Sequence, residues 1–164
     1  ALLKGLAQSV IATVISERIT LSSGARQLVS TMRHHGAYAA LVSGGFTDFT
    51  AHIAQILGFD ENRANVLLMK DHLLTGRVAL PILGKEAKVT ALNDIIAARG
   101  LTAQDVIAVG DGANDLGMLH IAGMGVAVHA KASVAAQCSL RVNYGDLTSL
   151  LYIQGYEIGQ FHGL

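Results

Sequence analysis

The residues best suited to chemistry stand together in one short segment, Val109-Gly110-Asp111-Gly112-Ala113-Asn114-Asp115. Two carboxylates and one side-chain amide occur where a predicted strand passes through a glycine loop into a predicted helix. Hard oxygen ligands of this kind suit Mg²⁺, which keeps coordination positions for water and phosphate. The alternative is a glycine turn followed by an ordinary helix cap. One capping side chain is enough for a turn and this segment offers three, so the metal-binding interpretation is favoured.

A second group is the hydroxyl and two glycines of Ser43-Gly44-Gly45, which follow the apolar Leu41-Val42. Small residues at a helix entrance let backbone N–H groups and the helix dipole face an anion such as phosphate. Taken alone, the same three residues are more typical of an ordinary strand-to-helix turn.

A third candidate is Lys88, in the first turn of a predicted helix. Most helix lysines are solvated surface residues. At the start of a helix that leaves the carboxyl edge of a sheet, however, Lys88 could reach a phosphoryl oxygen and balance the carboxylates. Lys85 competes for this role, and only the company of the other two groups singles out Lys88.

The elements that must position these groups follow from the hydrophobic pattern. Buried strands are predicted at 38–42, 106–109, 125–128 and 140–142, and a hairpin between 65 and 83 around Lys70-Asp71-His72. Helices are predicted at 1–16, 25–35, 46–57, 85–99, 114–122 and 132–137, and from near Asp146 as an N-cap. Strands alternating with helices in this way predict an α/β fold with a doubly wound, Rossmann-like parallel sheet.

In such a sheet, ligands bind outside the carboxyl ends of the strands. Ser43 and Asp111 each follow a predicted strand, while Lys88 and Asn114 open the helices nearby. We therefore expect these four side chains to converge on one pocket at that edge of the sheet.

Composition excludes several classes of partner. The 164 residues carry 12 basic and 12 acidic side chains and no tryptophan, which argues against a nucleic-acid partner. No apolar run approaches the roughly 18 residues of a spanning helix, so no membrane partner is expected. The single cysteine, Cys138, fits a reducing compartment, and a cytoplasmic location is predicted.

These motifs resemble those of a known family. Val42–Phe46, Lys88 and Ile107–Asp115 are similar to motifs II, III and IV of the haloacid dehalogenase phosphatases. Further similarity to the phosphoserine phosphatases of that superfamily lies in the opening Ala1–Leu6, which resembles the end of a small helical cap, in His129-Ala130-Lys131, and in Gly145–Thr148 with Tyr152. The resemblance covers essentially the whole chain.

The resemblance implies a Mg²⁺-dependent hydrolase that converts O-phosphoserine to serine and phosphate, the last step of serine biosynthesis. An aspartate would attack phosphorus and form an aspartyl-phosphate, and a second aspartate would act as acid and base. Ser43 and Gly44 would bind the phosphoryl group, whose charge Lys88 would offset.

The remaining roles implied by the resemblance lie in the glycine loop. Asp111 would bind Mg²⁺, and Asn114 would contact the substrate or Lys88. Asp115 would orient a water on the metal, or Lys88 itself, so that Lys88 and Asp115 are the catalytic candidates of this chain.

The chain departs from the family pattern in one respect. The family needs an Asp-x-Asp pair at the end of its first strand, and no two of the eight aspartates here are separated by a single residue. We therefore expect an inactive C-terminal portion, with residues 1–20 a remnant of the cap and 21–164 a core lacking its first strand. The alternatives are a non-catalytic phosphate- or Mg²⁺-binding module, or another small-molecule phosphatase of the superfamily.

That absence also predicts an unusual sheet. In the family, the strand that bears the nucleophile lies between the Val42 strand and the Val109 strand. Without it, each of those strands presents an unpaired edge. We therefore expect that a strand from elsewhere fills the gap, that the two edge strands close on each other, or that a partner chain completes the sheet by self-association.

Overall fold

A computed structural model of the chain describes residues 2–163. The chain divides into two compact units. The first unit extends to Leu83 and takes up the chain again from Tyr156, and the second unit is Gly84–Gly155.

Helices and strands alternate along the second unit, as the sequence predicts, whereas the first unit has two helices in succession and later three strands in succession. The helices are α1 Ser9–Arg18, α2 Ala25–His34, α3 Thr47–Leu57, α4 Ala87–Arg99, α5 Leu116–Ile121, α6 Ala132–Ala135 and α7 Ser149–Ile153. The strands are β1 Ala40–Phe46, β2 Glu61–Asn65, β3 Leu67–Lys70, β4 Leu73–Val78, β5 Ile107–Gly110, β6 Met124–Val128 and β7 Leu140–Val142. Short 3₁₀ turns lie at Ala103–Asp105 and Ile158–Gln160. Among residues 2–163, no helix is both long enough and apolar enough to cross a membrane.

In the first unit, β1 and β2 pair in parallel and α3 forms the crossover between them. The strand β2 is absent from the sequence-based prediction, because its polar residues lack the apolar alternation that marks a strand. Two side chains donate hydrogen bonds to the Glu61 carboxylate, the only carboxylate of β2. The Tyr38 hydroxyl donates at 2.8 Å, and the Arg63 guanidinium also donates. The strand therefore carries its polar groups in satisfied pairs.

The hairpin predicted between residues 65 and 83 is confirmed. Strands β3 and β4 pair antiparallel across a two-residue turn. Asp71 and His72 form that turn with φ of 51° and 61°. Positive φ at both central residues gives a tight turn whose twist matches that of the strands.

The first helix begins later than predicted, at Ser9 instead of residue 1. The preceding residues run along β4 instead: the Gly5 N–H donates to the Leu74 carbonyl at 2.8 Å, and the Leu74 N–H donates to the Leu6 carbonyl at 2.9 Å. The helical spacing of the leucines was misleading, because backbone pairing with β4 satisfies these peptide groups. Ala1 itself lies outside the described residues.

The second unit has a parallel three-stranded sheet in the order β5–β6–β7. Its core includes Val126, which is fully buried, and Leu119 of α5. Gly125 of β6 lets the end of α5 approach closely, since a Cβ on that residue would lie 1.9 Å from the Leu119 carbonyl oxygen. The glycine is therefore a packing requirement of the helix–sheet contact.

Several boundaries differ from those predicted. The strand at 38–42 lies at Ala40–Phe46, so β1 continues through the glycines. The helix predicted at 114–122 is Leu116–Ile121, and the one at 132–137 is Ala132–Ala135. The last helix begins at Ser149, and the Asp146 carboxylate accepts the Thr148 N–H at 2.9 Å just before it.

The two strands that bear on the predicted gap, β1 and β5, are both edge strands of their sheets. Within residues 2–163, β1 forms its ladder with β2 alone, and β5 forms its ladder with β6 alone. The apolar Val42 and Val109 are only half-buried. That a further strand fits between Val42 and Val109 stays a prediction.

Candidate active site

Asp115 is the most enclosed polar group of the candidate site, with 2% of its surface exposed. Its Oδ2 accepts the backbone N–H of Asp111 at 3.0 Å and of Gly112 at 2.9 Å. Its Oδ1 accepts a hydrogen bond from the Lys88 ammonium. Both carboxylate oxygens are thus bonded, and the side chain ties the glycine loop to the entrance of α5.

Lys88, in the first turn of α4, is the cation of this pair, and its side chain is only 14% exposed. A buried ion pair is compensated only if its geometry is good and its remaining lone pairs are satisfied, and the two N–H groups on Asp115 satisfy that condition. Lys85, the competing candidate, is exposed, and the described residues record no ion pair for it. The structure thus brings Lys88, and not Lys85, to the glycine loop.

Two glycines make this loop sterically feasible. A Cβ on Gly110 would lie 2.4 Å from the Asp115 Cβ, and one on Gly112 would lie 2.5 Å from the Asn114 Oδ1. Gly110 is therefore required by the close approach of the buried Asp115, whereas the exposed Asn114 side chain can move aside for a Cβ on residue 112.

Asp111 lies at the carboxyl end of β5 and is exposed. Its backbone N–H is bonded to Asp115, whereas no hydrogen bond or ion pair of its carboxylate is recorded among residues 2–163. The Asp111 carboxylate is therefore open to a ligand, while the Asp115 carboxylate is fully occupied.

The side chains available as metal ligands determine how the implied Mg²⁺ could be bound. No group of three histidine, cysteine or acidic side chains that could hold a metal occurs within the described part of the chain. Mg²⁺ retains several waters and often takes only one or two protein carboxylates together with substrate phosphate. Asp111 fits as one hard oxygen ligand of such an ion, and residues 2–163 offer no complete cage.

Ser43 lies near the carboxyl end of β1, in the first unit. Its Oγ accepts the Gly45 N–H at 3.0 Å, and the register of β1 against β2 shifts between Val42 and Phe46. The helix was predicted to start at Phe46 but begins at Thr47, because Phe46 still pairs with β2. Gly44 and Gly45 are exposed, and the neighbourhood of Gly44 is open.

Asn65 is a functional candidate that the sequence-based reasoning missed. It is 6% exposed, and its Nδ2 donates to the Gly44 carbonyl at 2.9 Å and to the Leu83 carbonyl at 3.3 Å. Its Oδ1 accepts the Leu83 N–H at 2.7 Å. Asn65 thus fixes the orientation of the Gly44 peptide beside Ser43. Asn65 is recognised as a candidate only because it is buried. The sequence does not indicate this burial, because Asn65 is a polar residue in a polar segment.

The structure thus places four of the predicted site residues in the same unit. Lys88, Asp111, Asn114 and Asp115 all belong to the second unit, where Lys88 and Asp115 are in contact. Ser43 belongs to the first unit, and its convergence with the others stays a prediction.

His129 is in the left-handed region, with φ 47°, and its Nε2 lies 2.9 Å from the Gly145 carbonyl oxygen. That contact joins the ends of β6 and β7, which is a structural role.

Comparison with known proteins adds independent information. The sequence profile of the haloacid dehalogenase-like hydrolases matches residues 1–120. A phosphoserine phosphatase from Streptomyces coelicolor is 42% identical over 155 residues, which are 94% of this chain and 38% of that protein. One from Streptococcus thermophilus is 40% identical over 160 residues, or 98% of this chain and 74% of that protein.

Solved structures agree with the sequence comparison. The phospho-aspartyl intermediate analogue of a phosphoserine phosphatase superposes with a TM-score of 0.86 at 36% identity, covering 93% of this chain and 72% of the other. This similarity confirms the predicted fold class. The chain spans less than half the length of the Streptomyces coelicolor relative.

Proposed function

We propose a function from one premise: the chain belongs to the haloacid dehalogenase-like hydrolases, in the group of the phosphoserine phosphatases. On this proposal it forms the phosphate- and metal-binding part of a Mg²⁺-dependent enzyme that hydrolyses O-phosphoserine to serine and phosphate. The observation that carries the proposal is the buried Lys88–Asp115 pair beside the open carboxylate of Asp111.

Lys88 would neutralise the transferring phosphoryl group. Its ammonium has three N–H donors, and one of them is directed at Asp115. The other two remain for phosphoryl oxygens, while Asp115 keeps the ammonium in place. Removal of one such oriented donor typically costs about a hundredfold or more in rate.

Asp111 would hold Mg²⁺, which would supply positive charge to the phosphoryl oxygens and the nucleophile when bound. The Asp111 carboxylate can serve this role because Asp115 bonds only its backbone N–H. Asn114, which is exposed in the same loop, would contact the substrate or Lys88.

Ser43 and Gly44 would also bind the phosphoryl group, as the resemblance implies. Gly44 has open space around it, so a phosphate oxygen can approach the backbone. Asn65 supports this role by fixing the Gly44 carbonyl in a part-buried hydrogen bond.

The remaining parts of the proposal rest on the relatives and on composition. Serine as the leaving group, and hence a place at the end of serine biosynthesis, follows from the names of the relatives. A cytoplasmic location is supported by the free thiol of the buried Cys138. Self-association through the β1 and β5 edges is supported by their one-sided pairing within residues 2–163.

A second candidate is a non-catalytic phosphate- or Mg²⁺-binding module. The observation that favours it is the lack of any Asp-x-Asp pair in these 164 residues. Asp111 and Asp115 do not replace the nucleophile, because one would hold the metal and the other is bonded on both oxygens.

The experiment has two arms, performed on the 164-residue chain verified by mass. In the first, Mg²⁺ and inorganic phosphate are titrated while backbone amide resonances are followed by NMR. We expect Mg²⁺ to shift the amides of the glycine loop in the wild type and not in Asp111→Asn. Unshifted resonances in the wild type would contradict both candidate functions.

The second arm measures phosphate release from O-phosphoserine with and without Mg²⁺. We expect negligible turnover, since the 164 residues contain no Asp-x-Asp pair to supply the nucleophile. Substantial Mg²⁺-dependent turnover would show that the assignment of a missing nucleophile is wrong.

A further inference from the structure

Helices α4 and α5 contact each other beside the Lys88–Asp115 pair. Gly117 is the second residue of α5, and Val89 follows Lys88 in α4. A Cβ on residue 117 would lie 2.7 Å from the Val89 Cγ2. Carbon atoms in van der Waals contact lie about 3.5–4.0 Å apart. Because Gly117 has no side chain, the two helices can approach each other more closely here than with any other amino acid.

Among the described residues, Val89 is the one neighbour outside α5 that a Cβ on residue 117 would meet within 4 Å. Val89 is half-buried. It is also β-branched, and a valine in a helix is held in one strongly preferred rotamer, so it cannot turn aside at little cost. A side chain at residue 117 would therefore move α4 away from α5 by about 1 Å, the difference between 2.7 Å and an ordinary carbon–carbon contact.

This displacement would act directly on the Lys88–Asp115 pair. Lys88 precedes Val89, and Asp115 is the N-cap residue of α5, two residues before Gly117. Asp115 cannot follow α4, because its Oδ2 is held by two backbone N–H groups of the glycine loop. The Lys88 side chain is only 14% exposed, so packing limits its alternative conformers. The separation of the helices therefore lengthens the hydrogen bond from the Lys88 ammonium to the Asp115 Oδ1.

We propose that Gly117 is a positioning residue of the candidate active site. By letting α4 approach α5 at Val89, it places the Lys88 ammonium against Asp115, where its two remaining N–H donors are available to a phosphoryl group. The phosphoryl part of this inference rests on the proposed function, whereas the position of the ammonium is a property of these 164 residues alone. In a complete enzyme, a displacement of about 1 Å at such a group costs up to about a hundredfold in rate.

The test follows the Lys88 ammonium by proton–nitrogen NMR in the 164-residue chain. The N–H protons of a mostly buried, ion-paired ammonium exchange slowly with water, and Lys88→Met identifies the signal by its loss. Gly117→Ala should speed this exchange by about tenfold or more, which corresponds to the loss of one hydrogen bond to a charged group. Alanine forms a helix more readily than glycine, so this variant should stay folded, which far-UV circular dichroism checks.

Val89→Ala provides the matched rescue, because it removes the Cγ2 that the new Cβ would meet. The double variant of Gly117→Ala and Val89→Ala should bring the exchange rate back to within about twofold of the wild type. Gly84→Ala makes the same chemical change at a residue with no neighbouring atom within 4 Å, and should leave the rate unchanged. The rescue and the control separate the steric effect from a general effect of alanine.

Inorganic phosphate is then titrated into the same variants, and Gly117→Ala should weaken its binding about tenfold. A slowly exchanging Lys88 signal that is missing in the wild type, unchanged by Gly117→Ala, or not restored by Val89→Ala would overturn the proposal. Wild-type phosphate affinity in Gly117→Ala, despite faster exchange, would overturn the role of Gly117 in phosphate binding. If the ammonium responds as expected but the wild type binds no phosphate, Gly117 still positions Lys88, and the proposed function is the part that fails.

Discussion

Replacement of Asp115 by asparagine removes one charge from the candidate site and almost nothing from its volume. Asp115 is 2% exposed, and its Lys88 partner has a side chain that is 14% exposed. After the change, the Lys88 ammonium stays in a mostly buried position without its counter-ion. The N–H groups of Asp111 and Gly112 can still meet the amide oxygen of the new side chain.

The expected loss of stability follows from leaving the Lys88 ammonium mostly buried without its counter-ion. Breaking one side of a buried ion pair costs about 3–5 kcal/mol, a large part of a total stability of roughly 5–15 kcal/mol. With a urea slope of about 2 kcal/mol/M, the midpoint of unfolding should fall by roughly 2 M. Asp115→Asn is therefore expected to be among the most destabilising isosteric changes in the second unit.

Urea unfolding followed by circular dichroism measures the effect, and Asp111→Asn is the matched control. It makes the same chemical change four residues earlier, at an exposed carboxylate whose side chain has no recorded partner among the described residues. Its free energy of unfolding should change by less than about 0.5 kcal/mol.

Lys88→Met completes a double-mutant cycle. Asp115→Asn already leaves the Lys88 ammonium without its counter-ion. The free energy of unfolding lost by the double variant should therefore be well below the sum of the losses of the two single variants. A loss below about 1 kcal/mol for Asp115→Asn, or additive losses in the cycle, would refute the argument that the pair is a coupled, buried unit.

Two further predictions concern single residues. Gly125→Ala should cost at least about 1–3 kcal/mol in urea unfolding, since the new Cβ would lie 1.9 Å from the Leu119 carbonyl oxygen; Gly84→Ala, with no atom within 4 Å, is its control and should cost little. The hydrogen bond from Arg63 is the main cause that lowers the pKa of Glu61. The stability that Glu61 contributes is therefore present above its unfolded pKa of about 4.3 and is lost as pH falls through the lowered folded value. The advantage of the wild type over Glu61→Gln, up to about 1 kcal/mol, should thus shrink on acidification from pH 6 to pH 3, and an advantage that grows would show the sign to be wrong.

Some of the candidate site could be predicted because its chemistry is local in sequence. The Gly-Asp-Gly-x-Asn-Asp order shows both the carboxylates and the glycines beside them, whereas Lys88 is singled out from Lys85 only by the company of the other motifs. The division of labour between the carboxylates is implied only by the family resemblance and not by the residues themselves, because it depends on which one the loop amides turn toward. The structure gives that position to Asp115 and leaves Asp111 open.

Other parts depend on partners that lie far away in the sequence. The strand β2 is stabilised by pairing with β1 and by side-chain hydrogen bonds to its polar residues. The hydrophobic pattern of its own residues therefore does not predict a strand. The buried role of Asn65 depends on Gly44 and Leu83, which are 21 and 18 residues away. The early start predicted for α1 is wrong because pairing with β4, some 70 residues later, outweighs helix propensity in the first residues.

The first unit is interrupted in sequence by the whole of the second, and this bears on the order in which the chain folds. The contact of His162 with Thr31 spans 131 residues, whereas the second unit is one continuous stretch. Contacts of long sequence separation form slowly, because the entropy of loop closure opposes them. During synthesis the second unit can complete its fold once Gly155 has emerged, but the first must wait for residues 156–163. Its apolar surface at α2 therefore stays uncovered longest, and deletions at the carboxyl end should lower the yield of folded protein more than their few contacts indicate.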